Sequence, residues 1–297
     1  MGKITFNDLK SDAENALDAL MQQPEVNKSS GITIIAHSEG TTITPRIAID
    51  NPDKVKNIVL WGAIALNIVK DNFYILGVTL PLLYAQNVLD KNHSGLLSVK
   101  GASKDPVFLF FVNTTGSVTS ILNPKYNANK DAYISINNEL KPALVRQFEE
   151  YIKELNTTNQ SSSPIFHKKC DPSSSCLIWA RSHLLLSNTL SIIGNVYPNV
   201  GILILEGEND AGVQQAFLLQ QRLTEVNHPD HTLITYPNLG HYLYPSDQWE
   251  RAEPEPIPPY VLADLYSWLE SHSGFTHLPA VLPSYYSSQS STNSAIK

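Results

Sequence analysis

The sequence has little of what usually settles a protein's class at sight. Only two cysteines, Cys170 and Cys176, stand in 297 residues. That excludes a disulfide framework: at most one small loop closes in an oxidising compartment, and both stay thiols in a reducing one. No apolar run reaches the ~18 residues of a membrane span; the nearest, Phe73 to Ala85, is too short. Positive charge is not in excess. The formal net charge is −7 and no Lys/Arg-rich stripe is present, which argues against nucleic acid as a partner. Met1-Gly2-Lys3-Ile4 lacks the shape of a signal peptide, so the cytoplasm is the default expectation, with secretion the alternative if the true N-terminus lies upstream. Sequons at Asn27, Asn92, Asn113, Asn156 and Asn159 do not decide the compartment. There is no internal repeat. Charge is sparse, 16% of residues against 42% apolar, which gives a sizeable core and excludes wholesale disorder.

What is there is organised around residues 31–42. Ile32 to Ala36 is a short, β-branched run bounded by Gly31, and reads as a buried strand. It runs straight into Ala36-His37-Ser38-Glu39-Gly40. A helical pattern follows at once, with apolar Ile43, Ile47 and Ala48. A strand turning sharply into a helix at a serine is the arrangement of a nucleophile elbow, and also that of an ordinary strand–helix turn with a serine in it. Small residues two before and two after Ser38 let strand and helix pack closely at the bend. The helix start beside the hydroxyl favours a developing anion.

The remaining chain alternates, breaks and resumes. Phe6, Leu9, Ala13, Ala16, Leu17 and Leu20 sit at helical spacing, entered through Thr5 or Asn7 and stopped near Pro24. Pro45 removes one backbone bond from the helix after Ser38 and is expected to bend it. That helix ends near Asn51-Pro52, and Val55 to Trp61 is a second buried strand. Strand, helix and strand make a parallel crossover unit. Residues 63–195 lose the rhythm: apolar knots alternate with Asn, Ser and Pro clusters, which predicts an inserted helical segment without sheet. The rhythm returns with a strand at Ile202 to Leu205, a helix over 213–226, a strand at Thr232 to Tyr236 and a last helix over about 257–271. The Ser-rich end after Pro283 is expected to be disordered.

Ser38, Asp210 and His241 each follow directly on an apolar strand. Open parallel sheets place their sites just beyond the carboxyl ends of the strands, so the three are expected to face one crevice. A serine hydroxyl needs an adjacent base, an imidazole suits that role near neutrality, and a carboxylate orients the imidazole. Asp210 could instead cap the next helix, and Glu208 is the rival acid. Asp210 is preferred because it lies further past the strand.

Three stretches carry a resemblance: Ala-His-Ser-Glu-Gly at 36–40, Ile-Leu-Ile-Leu-Glu-Gly-Glu-Asn-Asp at 202–210 and Tyr-Pro-Asn-Leu-Gly-His at 236–241. With them the chain resembles the α/β-hydrolase superfamily, closest to its esterase and serine-peptidase-like branches. Ala36 stands where the commonest pattern has glycine. The resemblance implies a partial α/β-hydrolase fold: a mostly parallel sheet flanked by helices, formed by residues 1–66 and 196–274, with 67–195 as a mainly helical cap and 283–297 as a tail. It implies Ser38 as nucleophile, Asp210 as acid, His241 as base and the Glu39 backbone N–H as an oxyanion donor, with no metal or organic cofactor. Ser38 lies so near the first residue that the family's earlier strands and their oxyanion loop are expected to be absent. Ile32, Ile34 and Ile35 would then lie on an exposed edge, open to self-association. The expected activity is cleavage of an ester, less readily an amide or thioester, through an acyl-enzyme. The alternative is a shortened, hydrolase-like binding module that does not cleave.

His167, Cys170, Cys176 and His183 are metal-ligand types, but their spacing matches no common zinc pattern. The run Phe108-Leu109-Phe110-Phe111 reads as the core of the inserted segment. Were it to line the cleft, the substrate would carry an apolar portion.

Overall fold

The β-branched runs become strands and the runs of period 3.6 become helices, largely at the expected places. The computed structural model describes residues 4–114, 132–156, 175–249 and 255–273. The strands are β1 (Ile32–His37), β2 (Val55–Trp61), β3 (Leu96–Ser98), β4 (Tyr133–Ser135), β5 (Gly201–Gly207) and β6 (His231–Tyr236). The helices are α1 (Phe6–Met21), α2 (Gly40–Asp50), α3 (Leu80–Tyr84), α4 (Val99–Ala102), α5 (Pro106–Thr114), α6 (Lys141–Asn156), α7 (Ser175–Leu184), α8 (Thr189–Ile192), α9 (Val213–Glu225) and α10 (Pro259–Ser273).

Four strands form one parallel sheet in the order β1-β2-β5-β6. Helices flank it on both sides. Ile58, Leu60, Ile202 and Ile204 face α1, α2 and α9, while Val59, Leu203 and Leu205 face α10. This is the period-2 alternation of a strand covered on both faces. All seven residues of β5 are buried. β1 is an edge of the sheet among the described residues. Its Ile32 and Ile34 pack toward α1 and α2. Ile35 turns to the opposite face and is 50% exposed.

Thr5, not Asn7, opens α1: its side chain accepts from the Asp8 N–H, and Asp8 returns a bond to the Thr5 N–H. α2 runs on through Pro45, as a helix with this residue inside.

The segment between β2 and β5 has a buried cluster of its own, with Tyr84, Leu97, Phe108, Phe111, Ile134 and Leu144 inside it. Its described residues are mainly helical, but they correct the expectation of no sheet: β3 and β4 pair as an antiparallel ribbon. Strands of three residues are too short to show a period, so their pairing rests on Leu97 and Ile134 being buried. π-helical turns at Ile68–Asn72, Ile75–Thr79, Ala85–Leu89 and Ile136–Leu140 also leave no simple periodicity.

Among the described residues no helix is long and apolar enough to cross a membrane. The expected disorder after Pro283 concerns residues outside the described ones, as do His167 and Cys170; nothing is described of the Cys176 side chain. Among the described residues no group of three or more His, Cys, Asp or Glu could hold a metal ion.

Candidate active site

β1 ends at His37, and the next residue takes a turn that few side chains adopt. Ser38 has φ 54°, in the left-handed region. For a residue with a Cβ this conformation is strained, and such strain gathers at functional positions. Three bonds hold the turn. The Ser38 N–H donates to the Trp61 carbonyl at 3.0 Å, and the Thr41 N–H and hydroxyl both donate to the Ser38 carbonyl, at 2.9 and 2.6 Å. Glu39 follows in helical conformation and precedes α2. Its N–H therefore opens the first turn, where no intrahelical acceptor exists.

The loop after β2 is fastened by side chains from three elements. Ala63 N–H donates to Glu206 Oε2 at 2.8 Å, and Ile64 N–H to Thr41 Oγ1 at 2.9 Å. Ala65 and Leu66 N–H both donate to Gln215 Oε1 at 3.0 Å. Gly62, with φ +60°, passes beneath His241; a Cβ there would lie 2.9 Å from its Cε1. Only glycine leaves the ring its place.

Asp210 follows β5 and His241 follows β6. The two loops are tied by the Asn209 N–H to the Leu239 carbonyl at 2.9 Å, and by Asn209 Nδ2 to the Ser246 carbonyl at 2.6 Å. This brings His241 Nδ1 to 2.6 Å from Asp210 Oδ2. Asp210 Oδ1 accepts the Gly212 N–H, also at 2.6 Å. Burial pushes the Asp210 carboxyl up, but the bond and charge of His241 outweigh it and hold it below its ordinary value. His37 packs against the other side: its ring lies 4.8 Å from that of His241, and its Nε2 is 3.2 Å from the His241 carbonyl. Burial, then the neighbouring His241, lower the His37 pKa. The rival acid Glu208 accepts from Thr235 Oγ1 at 2.9 Å.

Ser38, Asp210 and His241 line one cavity of about 150 Å³. Its apolar wall is Ala63, Ile64, Ile68, Phe73, Ile75, Leu76 and Ala211, of which Ile68, Ile75 and Leu76 come from the π-helical turns after β2. Phe108 and Phe111 are instead buried in the cluster of the inserted segment, and Phe110 is 65% exposed. The polar wall adds Asn72, whose Oδ1 accepts Gln215 Nε2 at 2.5 Å.

The Glu39 side chain ties the elbow to α7. Its Oε1 accepts Trp179 Nε1 at 2.6 Å, and His183 Nε2 lies 2.9 Å from the same oxygen, off the line of a well-formed hydrogen bond. Burial raises the Glu39 pKa, and the close contact with His183 and the bond from Trp179 more than reverse this. Glu206, Gln215 and Asn72 were not singled out by the sequence. Gln215 sits on a helix and Glu206 reads as the start of a turn; only their burial, at 2% and 0% exposure, marks them.

No family model and no curated protein sequence matches the chain. Solved structures do. A carboxyl esterase from Bacillus coagulans, in complex with glycerol, is 13% identical, covering 90% of this chain and 72% of that one with a TM-score of 0.45. A thermophilic esterase from Thermogutta terrifontis is 12% identical over 91% and 74%, TM-score 0.44. An alpha/beta hydrolase fold protein from Chitinophaga pinensis is 15% identical over 91% and 74%, TM-score 0.39. What the site can do follows from its own side chains.

Proposed function

With an α/β-hydrolase fold as the premise, we propose that the chain is a serine hydrolase that cleaves esters, and less readily amides or thioesters, through an acyl-enzyme. The observation that carries this reading is a single cavity lined by Ser38, on its strained turn, and by His241, whose Nδ1 is held by Asp210 at 2.6 Å.

Ser38 Oγ attacks the ester carbonyl carbon and passes its proton to His241 Nε2. Asp210 keeps the Nδ1 proton in place and offsets the charge of the imidazolium. The carbonyl oxygen, now an anion, takes the Glu39 N–H; a donor of this kind is worth about 3 kcal/mol in the transition state. The intermediate collapses, the C–O bond to the alcohol breaks and His241 returns the proton to the leaving oxygen. Water then attacks the acyl carbon on Ser38, with His241 taking its proton; the bond to Ser38 Oγ breaks, His241 returns the proton to that oxygen, and the acid leaves. Every step uses only side chains, a backbone N–H and water.

The apolar wall suits an acyl or alcohol portion that is itself apolar. The described residues between 67 and 195 act as a cap that closes this wall over the elbow, anchored by Trp179 and His183 on Glu39. The test is hydrolysis of p-nitrophenyl esters of graded acyl length. Wild type is expected to turn over short apolar acyl groups and Ser38→Ala to fall to background. Equal rates in the two proteins would remove the reading.

A further inference from the structure

Glu206 is the one ionisable residue of β5, and it is fully buried. Its Oε2 accepts the Ala63 N–H. Its Oε1 is shut off from solvent, and no well-formed hydrogen bond from an N–H or O–H donor reaches it among the described residues. What does reach the Glu206 carboxyl is the carboxyl of Asp210, itself only 6% exposed. Two carboxyls can bond to each other only when one carries a proton, and two buried carboxylates in contact cannot both ionise.

The surroundings decide which one holds it. Asp210 accepts Gly212 N–H on one oxygen and His241 Nδ1 on the other, each at 2.6 Å. Those donors favour its charge. Glu206 has the backbone N–H of Ala63, with that of Gly207 also acting on it, but it lies deeper and burial outweighs both. The groups packed round it are Asp210 on the loop after β5, the Ala63 backbone on the loop after β2 and, beyond Asp210, His241 on the loop after β6.

We propose that Glu206 is the positioning residue of the acid–histidine pair: its carboxylic O–H donates to the Asp210 carboxylate and fixes that group's orientation, leaving its charge to His241. For the role of Asp210 the proposal rests on the hydrolase reading above. Burial, followed by the charge of Asp210, pushes the Glu206 carboxyl up to about 10. The folded protein thus keeps a proton that the unfolded chain releases in the ordinary carboxylate range. The contribution of Glu206 to stability therefore falls as pH rises through and above that range, until Glu206 ionises in the folded state.

Glu206→Gln keeps both contacts, because its amide donates to Asp210 while its carbonyl accepts from Ala63. Glu206→Met removes both. Three readouts are expected. At neutral pH the infrared spectrum of the folded wild type carries a protonated-carboxyl C=O band that Glu206→Gln lacks. The melting temperature of Glu206→Gln relative to wild type rises steadily between about pH 5 and pH 9. Glu206→Gln retains ester kcat within about threefold, whereas Glu206→Met loses about tenfold or more, in kcat rather than KM. A missing band, a melting difference flat across pH, or a Gln variant as impaired as the Met variant would overturn the proposal. The band and the melting difference do not need turnover. Both present without ester cleavage would sustain the shared proton and remove only the hydrolase reading. Should Glu206→Met fail to fold, the Gln comparison still decides.

Discussion

β5 and β1 both end at the site, and they do so in opposite surroundings. β5 is buried along its whole length and delivers Asp210, 6% exposed, to the inner wall of the cavity, with Glu206 beside it. Among the described residues β1 lies at the sheet edge, with Ile35 half in solvent, and delivers Ser38. The difference shows two ways of holding a reactive group. On the buried side, position comes from charge and hydrogen bonds in a low dielectric, where each bond is strong and each missing partner is costly. On the edge side, position comes from backbone geometry: the left-handed turn at Ser38, locked by Thr41 and the Trp61 carbonyl. The acid–histidine half should therefore respond to changes of charge, and the β1 flank should be tolerant away from the turn.

The largest effect expected of that contrast is on activity. Asp210→Asn keeps the shape of the buried side but cannot stabilise an imidazolium. Ester kcat is expected to fall on the order of 10⁴-fold, while the protein still folds. A loss of tenfold or less would mean that the buried charge does not organise His241. Next comes the core of β5. Ile204 is fully buried, and Ile204→Ala should destabilise by about 2–5 kcal/mol in denaturant unfolding. The smallest is on the edge: Ile35→Thr is expected to change stability by about 0.5 kcal/mol or less. Similar losses at positions 204 and 35 would mean that β1 is covered in solution, for instance by a second copy of the chain.

The same contrast governs what the sequence reveals. Val55–Trp61 appears with its observed ends, because an apolar strand between a Pro-containing turn and a glycine needs no distant partner to be recognised. Asp210 and His241 are visible for a related reason: each stands within a few residues of a strand end, Asp210 further past β5 than the rival Glu208. Glu206 is hidden by its own charge. A carboxylate after Ile202 to Leu205 reads as the start of a turn, yet β5 continues through it to Gly207. Gln215 reads as the polar face of a helix, and only the loop at Ala65 and Leu66, far away in sequence, makes it an interior anchor. The cavity wall is hidden too. Its Ile68, Ile75 and Leu76 come from π-helical turns, whose spacing fits neither the helical nor the strand period. Phe108-Leu109-Phe110-Phe111 drew attention by composition, but it packs within its own cluster and leaves the cavity to others.

One measurement bears most directly on whether the side chains at 38, 210 and 241 work as a unit. The folded protein is treated with a fluorophosphonate and the modified peptide identified by mass spectrometry. The expected result is one adduct, on Ser38, absent in Ser38→Ala and strongly slowed in His241→Ala. Folded wild type that takes no label, or takes it elsewhere, would contradict the account.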